Sequence, residues 1–73
     1  MDSKNDILLS FGNKVRELRA SLGLSQEAFA DQCALDRTYI GGVERGERNI
    51  SLKNIAVISE GLEITVSELM RDI

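Results

Sequence analysis

"LDRTYIGGVERGERN", residues 35–49, decides what fold this chain can make. It opens on Asp36, a good helix cap, and closes on Gly46. Between them Tyr39, Ile40 and Val43 recur at the spacing of one helix face. Two adjacent glycines, Gly41 and Gly42, sit in the middle, where each costs about 1 kcal/mol relative to alanine. At about 100° per residue from Arg37, Gly41 falls at about 40°, Arg45 at about 80°, Thr38 at about 100° and Gly42 at about 140°. Tyr39, Val43 and Ile40 fall at about 200°, 240° and 300°. The stretch is therefore either a loop broken by its glycines or one intact helix, apolar on one face and bare backbone on the other. Asp36, Ile40, Val43 and Gly46 favour the helix.

Working outward, "CALD" makes a tight turn before Asp36, and Ser25 caps a short preceding helix with Gln26 and Glu27 in its first turn and Phe29, Ala30 and Cys33 facing inward. Phe11, Val15, Leu18 and Leu22 form the stripe of a first helix, closed by Gly23. After the quoted stretch, Ser51 caps a fourth helix with the stripe Leu52, Ile55, Ile58 and Leu62, its end frayed at Gly61. Thr65 and Glu68 make a capping box before a brief fifth helix carrying Leu69 and Met70. The expectation is an all-α fold: a compact five-helix domain over residues 7–73 containing a helix-turn-helix, after a flexible tail of residues 1–6.

Composition narrows the function classes. With 73 residues and no proline, the chain suits one small helical domain. One cysteine and no histidine leave nothing for an intramolecular disulfide and almost nothing for a structural zinc site. The same inventory gives no nucleophile with a base of suitable pKa, and no phosphate-cradling loop is present, so neither an enzyme nor a cofactor is expected. The apolar run Ile7, Leu8, Leu9 is far too short to span a membrane, and a reducing, cytoplasmic setting fits best. Net charge −3 argues against nucleic acid at first sight. The distribution argues otherwise, because Arg37, Arg45, Arg48 and Lys53 lie on or beside the face that carries the glycines.

That face suits a groove in DNA. A recognition helix presents its N-terminal residues to the base edges, and absent side chains further along allow its backbone closer to the duplex. Arg37 can fork onto guanine O6 and N7, and Thr38 can bond either kind of edge or touch a thymine methyl.

With "LGLSQEAFA" and "SLKNIAVIS" added, the quoted stretch resembles the lambda-repressor-like helix-turn-helix regulators, most closely the controller proteins of restriction-modification systems. The resemblance spans about residues 8–70 and implies a regulator that binds double-stranded DNA at a palindromic operator as a homodimer. By position it implies base contacts from Arg37, Thr38 and Arg48, and backbone contacts from Gln26, Tyr39 and Asn49. It also implies a structural ion pair of Arg19 with Glu44. Glu27 and Asp31, four apart on the second helix, match an acidic patch that touches the RNA polymerase sigma subunit in activators of this fold. The residues Ile64, Val66, Leu69, Met70 and Ile73 are more apolar than a terminal two-turn helix needs, and a two-fold interface is expected there. The competing reading is a protein-interaction module, an antitoxin or co-regulator that keeps the scaffold and works through its C-terminal apolar face.

Overall fold

Each helix after the first begins where a short polar side chain can accept a backbone amide. Ser25 caps α2 (Gln26–Cys33), Asp36 caps α3 (Arg37–Glu44), Ser51 caps α4 (Leu52–Gly61) and Thr65 caps α5 (Val66–Met70), all in extended backbone. These contacts satisfy amides that a helix start leaves without a partner. At Thr65 the cap is reciprocal: its hydroxyl accepts the Glu68 amide at 3.0 Å, and the Glu68 carboxylate accepts the Thr65 amide at 2.9 Å. Among the described residues the fold is all-α, with five helices.

The computed structural model describes the backbone of residues 3–73 and the side chains of residues 7–73. The first helix, α1, runs Ser3–Ser21. The flexible tail expected over residues 1–6 thus falls partly on residues 1–2, outside the described residues, and partly on residues 3–6, whose backbone begins α1. The core gathers Phe11 and Val15 of α1, Phe29, Ala30 and Cys33 of α2, Ile40 and Val43 of α3, Ile58 of α4 with Leu62 at its C-terminal cap, and Leu69 of α5. The α3 helix packs on α1 and α2, α2 on α4, and α5 bridges α4 and α1. Lys14 of α1 closes this circuit, its ammonium donating to the carbonyls of Glu68 at 3.0 Å and Arg71 at 2.6 Å just where α5 ends. No helix among the described residues is long and apolar enough to cross a membrane.

Three sequence expectations change. Leu22 leaves the stripe of α1: the helix ends at Ser21, Gly23 turns the chain at φ +74°, and Leu22 is left exposed while Leu24 packs half-buried. Leu52 is 77% exposed, because at the first position of α4 it stands about 120° around the helix from Ile58 and about 80° from Leu62. Gly61 does not fray. A Cβ there would meet the Cys33 sulfur at 2.5 Å and the Phe29 ring at 3.2 Å, so its missing side chain is what lets α4 lie against α2. The Gln32 amide secures the same contact by donating to the Gly61 carbonyl at 2.9 Å.

Candidate nucleic-acid interface

The site starts at Asp36, whose carboxylate accepts the Thr38 amide at 2.7 Å. Bonds from Thr38 hold the Asp36 carboxyl below the ordinary aspartate range. The cap fixes the first turn of α3, and Arg37 and Thr38, both exposed, stand at that end.

Behind Arg37 runs a chain of polar contacts that joins three helices. An Arg37 guanidinium nitrogen lies 3.5 Å from Gln26 Oε1, at the outer limit of a hydrogen bond, and Gln26 Nε2 donates to Glu44 Oε1 at 3.0 Å. Glu44 in turn accepts both prongs of Arg19, Nε at 2.7 Å and Nη2 at 2.9 Å, and Arg19 Nη1 donates to the Leu24 carbonyl at 2.8 Å. The Arg19 and Glu44 side chains are only 13% and 2% exposed. The hydrogen bond from Arg19 to Glu44 holds the guanidinium pKa above its ordinary value, against the opposing pull of burial. A fork-to-fork pair of this kind fixes angle as well as distance, so it sets how α3 sits on α1.

On the opposite side of α3, the Tyr39 hydroxyl accepts from Asn54 Nδ2 at 3.1 Å, and the Arg48 guanidinium lies 5.2 Å from the centre of the Tyr39 ring. The sequence barely marks Asn54. Its only local signal is its place three residues after the Ser51 cap, whereas its bond to Tyr39 spans two helices and leaves no mark in spacing. Asn49 is exposed in the connection from α3 to α4 and borders an apolar cleft of about 150 Å³ lined by Ile7, Phe11, Ile50, Ile55 and Met70.

The glycines are intact helix, yet their backbone is not bare. Gly41 and Gly42 are buried. A Cβ on Gly41 would lie 3.1 Å from Arg45 Nη1 and 3.6 Å from Gln26 Oε1, and one on Gly42 would lie 3.1 Å from Arg48 Cγ. Two arginines that follow the helix fold back and cover the strip the glycines leave, as long side chains do over open backbone. Arg45 is also engaged by Glu47, with Nε 3.1 Å from Oε2.

The residues expected at an interface between subunits divide. Leu69 is fully buried in the chain's own core and is unavailable to a partner, because the capping box turns it inward beneath α1 and α4. Ile64, Val66, Met70 and Ile73 remain half-buried. The acidic pair Glu27 and Asp31 is exposed on α2.

Comparison with known proteins agrees with this geometry. A helix-turn-helix family model matches residues 15–69. The chain is 56% identical over 70 residues to control protein C.MunI of a Mycoplasma species, an alignment covering 94% of this chain and 95% of the relative. Its fold is similar to that of the restriction-modification controller protein C.AhdI from Aeromonas hydrophila, with TM-score 0.82 at 53% identity over 85% of this chain and 94% of the other. It is similar too to the controller protein C.Esp1396I, solved as a tetramer with its natural 35 base-pair operator, with TM-score 0.81 at 35% identity over 86% of this chain and 83% of that one.

Proposed function

The chain belongs to the helix-turn-helix family and, within it, to the control proteins of restriction-modification systems; from that premise we propose that it is a sequence-specific regulator of transcription that reads double-stranded DNA with α3. One observation carries the reading: Arg37 and Thr38 are exposed at the N-terminal end of a helix whose orientation is held by the buried Arg19–Glu44 pair, with Gln26 set between Glu44 and Arg37. Arg37 and Thr38 take the base edges, joined by Arg48 once it leaves Tyr39, and Gln26, Tyr39 and Asn49 take the sugar-phosphate backbone. No cofactor or metal enters this work, and its setting is the cytoplasm. Selection of bound fragments from a random duplex library should return a palindrome with half-sites about one helical turn apart. Failure to enrich any sequence would favour the protein-interaction reading instead. Against the selected duplex, Arg37→Ala should cost about 1–3 kcal/mol of binding and relax the base preference at one position of each half-site. Equal weakening on every sequence would mean that Arg37 touches only phosphate.

The protein works as a homodimer, with the two α3 helices about 34 Å apart on one side of the DNA. Since Leu69 is committed to the core, the two-fold contact is better assigned to Leu52, one turn before Ile55, together with the half-buried Met70 beside Ile55. Leu52→Asp should give a monomer by sedimentation at micromolar concentration with unchanged helical circular dichroism, because Leu52 is exposed and an acid suits a helix start. A dimer that survives this change would move the interface elsewhere.

Glu27 and Asp31 fit an activating contact with the basic region of the RNA polymerase sigma subunit. The double variant Glu27→Gln, Asp31→Gln should keep operator affinity and lose transcript from the activated promoter. Unchanged transcript would leave the pair as a solvated helix face.

A further inference from the structure

Arg45 lies on the groove face of α3, its guanidinium across Gly41, and Arg48 lies beside it across Gly42. In the free protein the Arg45 charge already has a partner. Glu47, one residue past Gly46, meets Arg45 Nε at 3.1 Å, and both side chains are 59% exposed. The Glu47 carboxyl is held below its ordinary range, first by the hydrogen bond and charge of Arg45 and further by the charge of Arg48. The carboxylate in contact with Arg45 therefore stands at the place where a phosphate oxygen would otherwise be attracted.

Building on the DNA-binding reading, we propose that Glu47 sets specificity: it is an internal anion that occupies Arg45, so that a phosphate must displace a carboxylate before Arg45 can hold it. Sequence-independent affinity comes from cations that meet phosphates and release counterions, each contact adding about 0.9 to the slope of log K against log salt. Exchange of one anion for another at Arg45 gains little and leaves the Glu47 charge next to the duplex. The base contacts of Arg37 and Thr38 lie at the other end of the helix, and Arg48 rests over the Tyr39 ring while the Glu47 ion pair is with Arg45, so the base contacts are not taxed in this way. Glu47 thereby lowers binding to arbitrary DNA more than binding to the operator, which raises the ratio that matters among many competing sites.

The test uses the full chain and four forms: wild type, Glu47→Gln, Arg45→Ala, and both together. Each is titrated over a salt series against the duplex selected by the wild type and against a scrambled duplex of equal length. Glu47→Gln should tighten the scrambled duplex more than the operator and steepen its salt slope by about 0.9 per subunit. In the Arg45→Ala background the same change should have no effect on the ratio. An equal gain on both duplexes would overturn the proposal while leaving the DNA-binding reading standing. A gain that persists without Arg45 would overturn it too, since it would reflect general repulsion by a surface carboxylate. Wild type that prefers no sequence would remove the underlying reading and the proposal with it.

Discussion

Glu44→Ala should destabilise the fold by about 3–5 kcal/mol, the range for leaving one member of a buried ion pair without its partner. Arg19 would keep its bond to the Leu24 carbonyl and lose both contacts to carboxylate, in a position where only 13% of its side chain meets water. A domain of this size has about 4–11 kcal/mol in total, so the loss is a large share and shows directly as a lower urea midpoint with unchanged slope. Removing the charges together is a different matter. Arg19→Met with Glu44→Leu should recover most of the stability, because apolar replacements of similar volume remove the desolvation problem along with the attraction. The double variant should still bind the operator poorly, since Gln26 then has nothing to hold its amide beside Arg37. A midpoint for Glu44→Ala within experimental error of wild type would mean that water reaches Arg19 readily and the pair contributes only at the surface level.

Gly12→Ala should cost about 1–3 kcal/mol, against the usual direction for glycine-to-alanine changes inside a helix. The added carbon would press on the Val43 carbonyl oxygen and lie 2.7 Å from the Glu44 carbonyl oxygen and 2.9 Å from its carbon. All three are backbone atoms, so no side chain can swing away, and α1 and α3 must separate. At about 4–8 °C per kcal/mol for a domain of this length, the melting temperature should fall by several degrees or more. Because the separation opens at Glu44, operator affinity should fall as well, even though Gly12 is remote from Arg37. An unchanged or raised melting temperature would show that the helices tolerate a wider spacing.

Gly12 also illustrates what the sequence could not reveal. Helix starts were legible at Ser25, Asp36, Ser51 and Thr65 because capping is a contact between residues two or three apart. The inward stripe of α2 and α3 was legible for the same local reason, and with it the identity of the helix that carries Arg37 and Thr38. Gly12 and Gly61 owe their identity to backbone or side chains some thirty residues away, and nothing in their neighbours announces that. Leu52 and Leu69 were assigned to opposite roles because periodicity alone does not say where a stripe ends or which of two apolar surfaces a short helix keeps for itself. The cap and the apolar face on either side of the glycine pair are local too, and they mark it as helix. Its cover leaves no such mark, since the folding back of Arg45 and Arg48 depends on the turn at Gly46, where φ is +76°.

The meeting of Gly61 with Cys33 has a practical use. The chain has one cysteine, buried among α2 and α4 with its thiol pushed up by burial, so a thiol reagent finds no thiolate at the surface to attack. Modification has to wait for those two helices to part, and its rate under excess reagent counts the openings. The sulfur is a clock already installed in the molecule, able to time how often the scaffold beneath the reading helix comes undone, with operator present or absent, without a single added label.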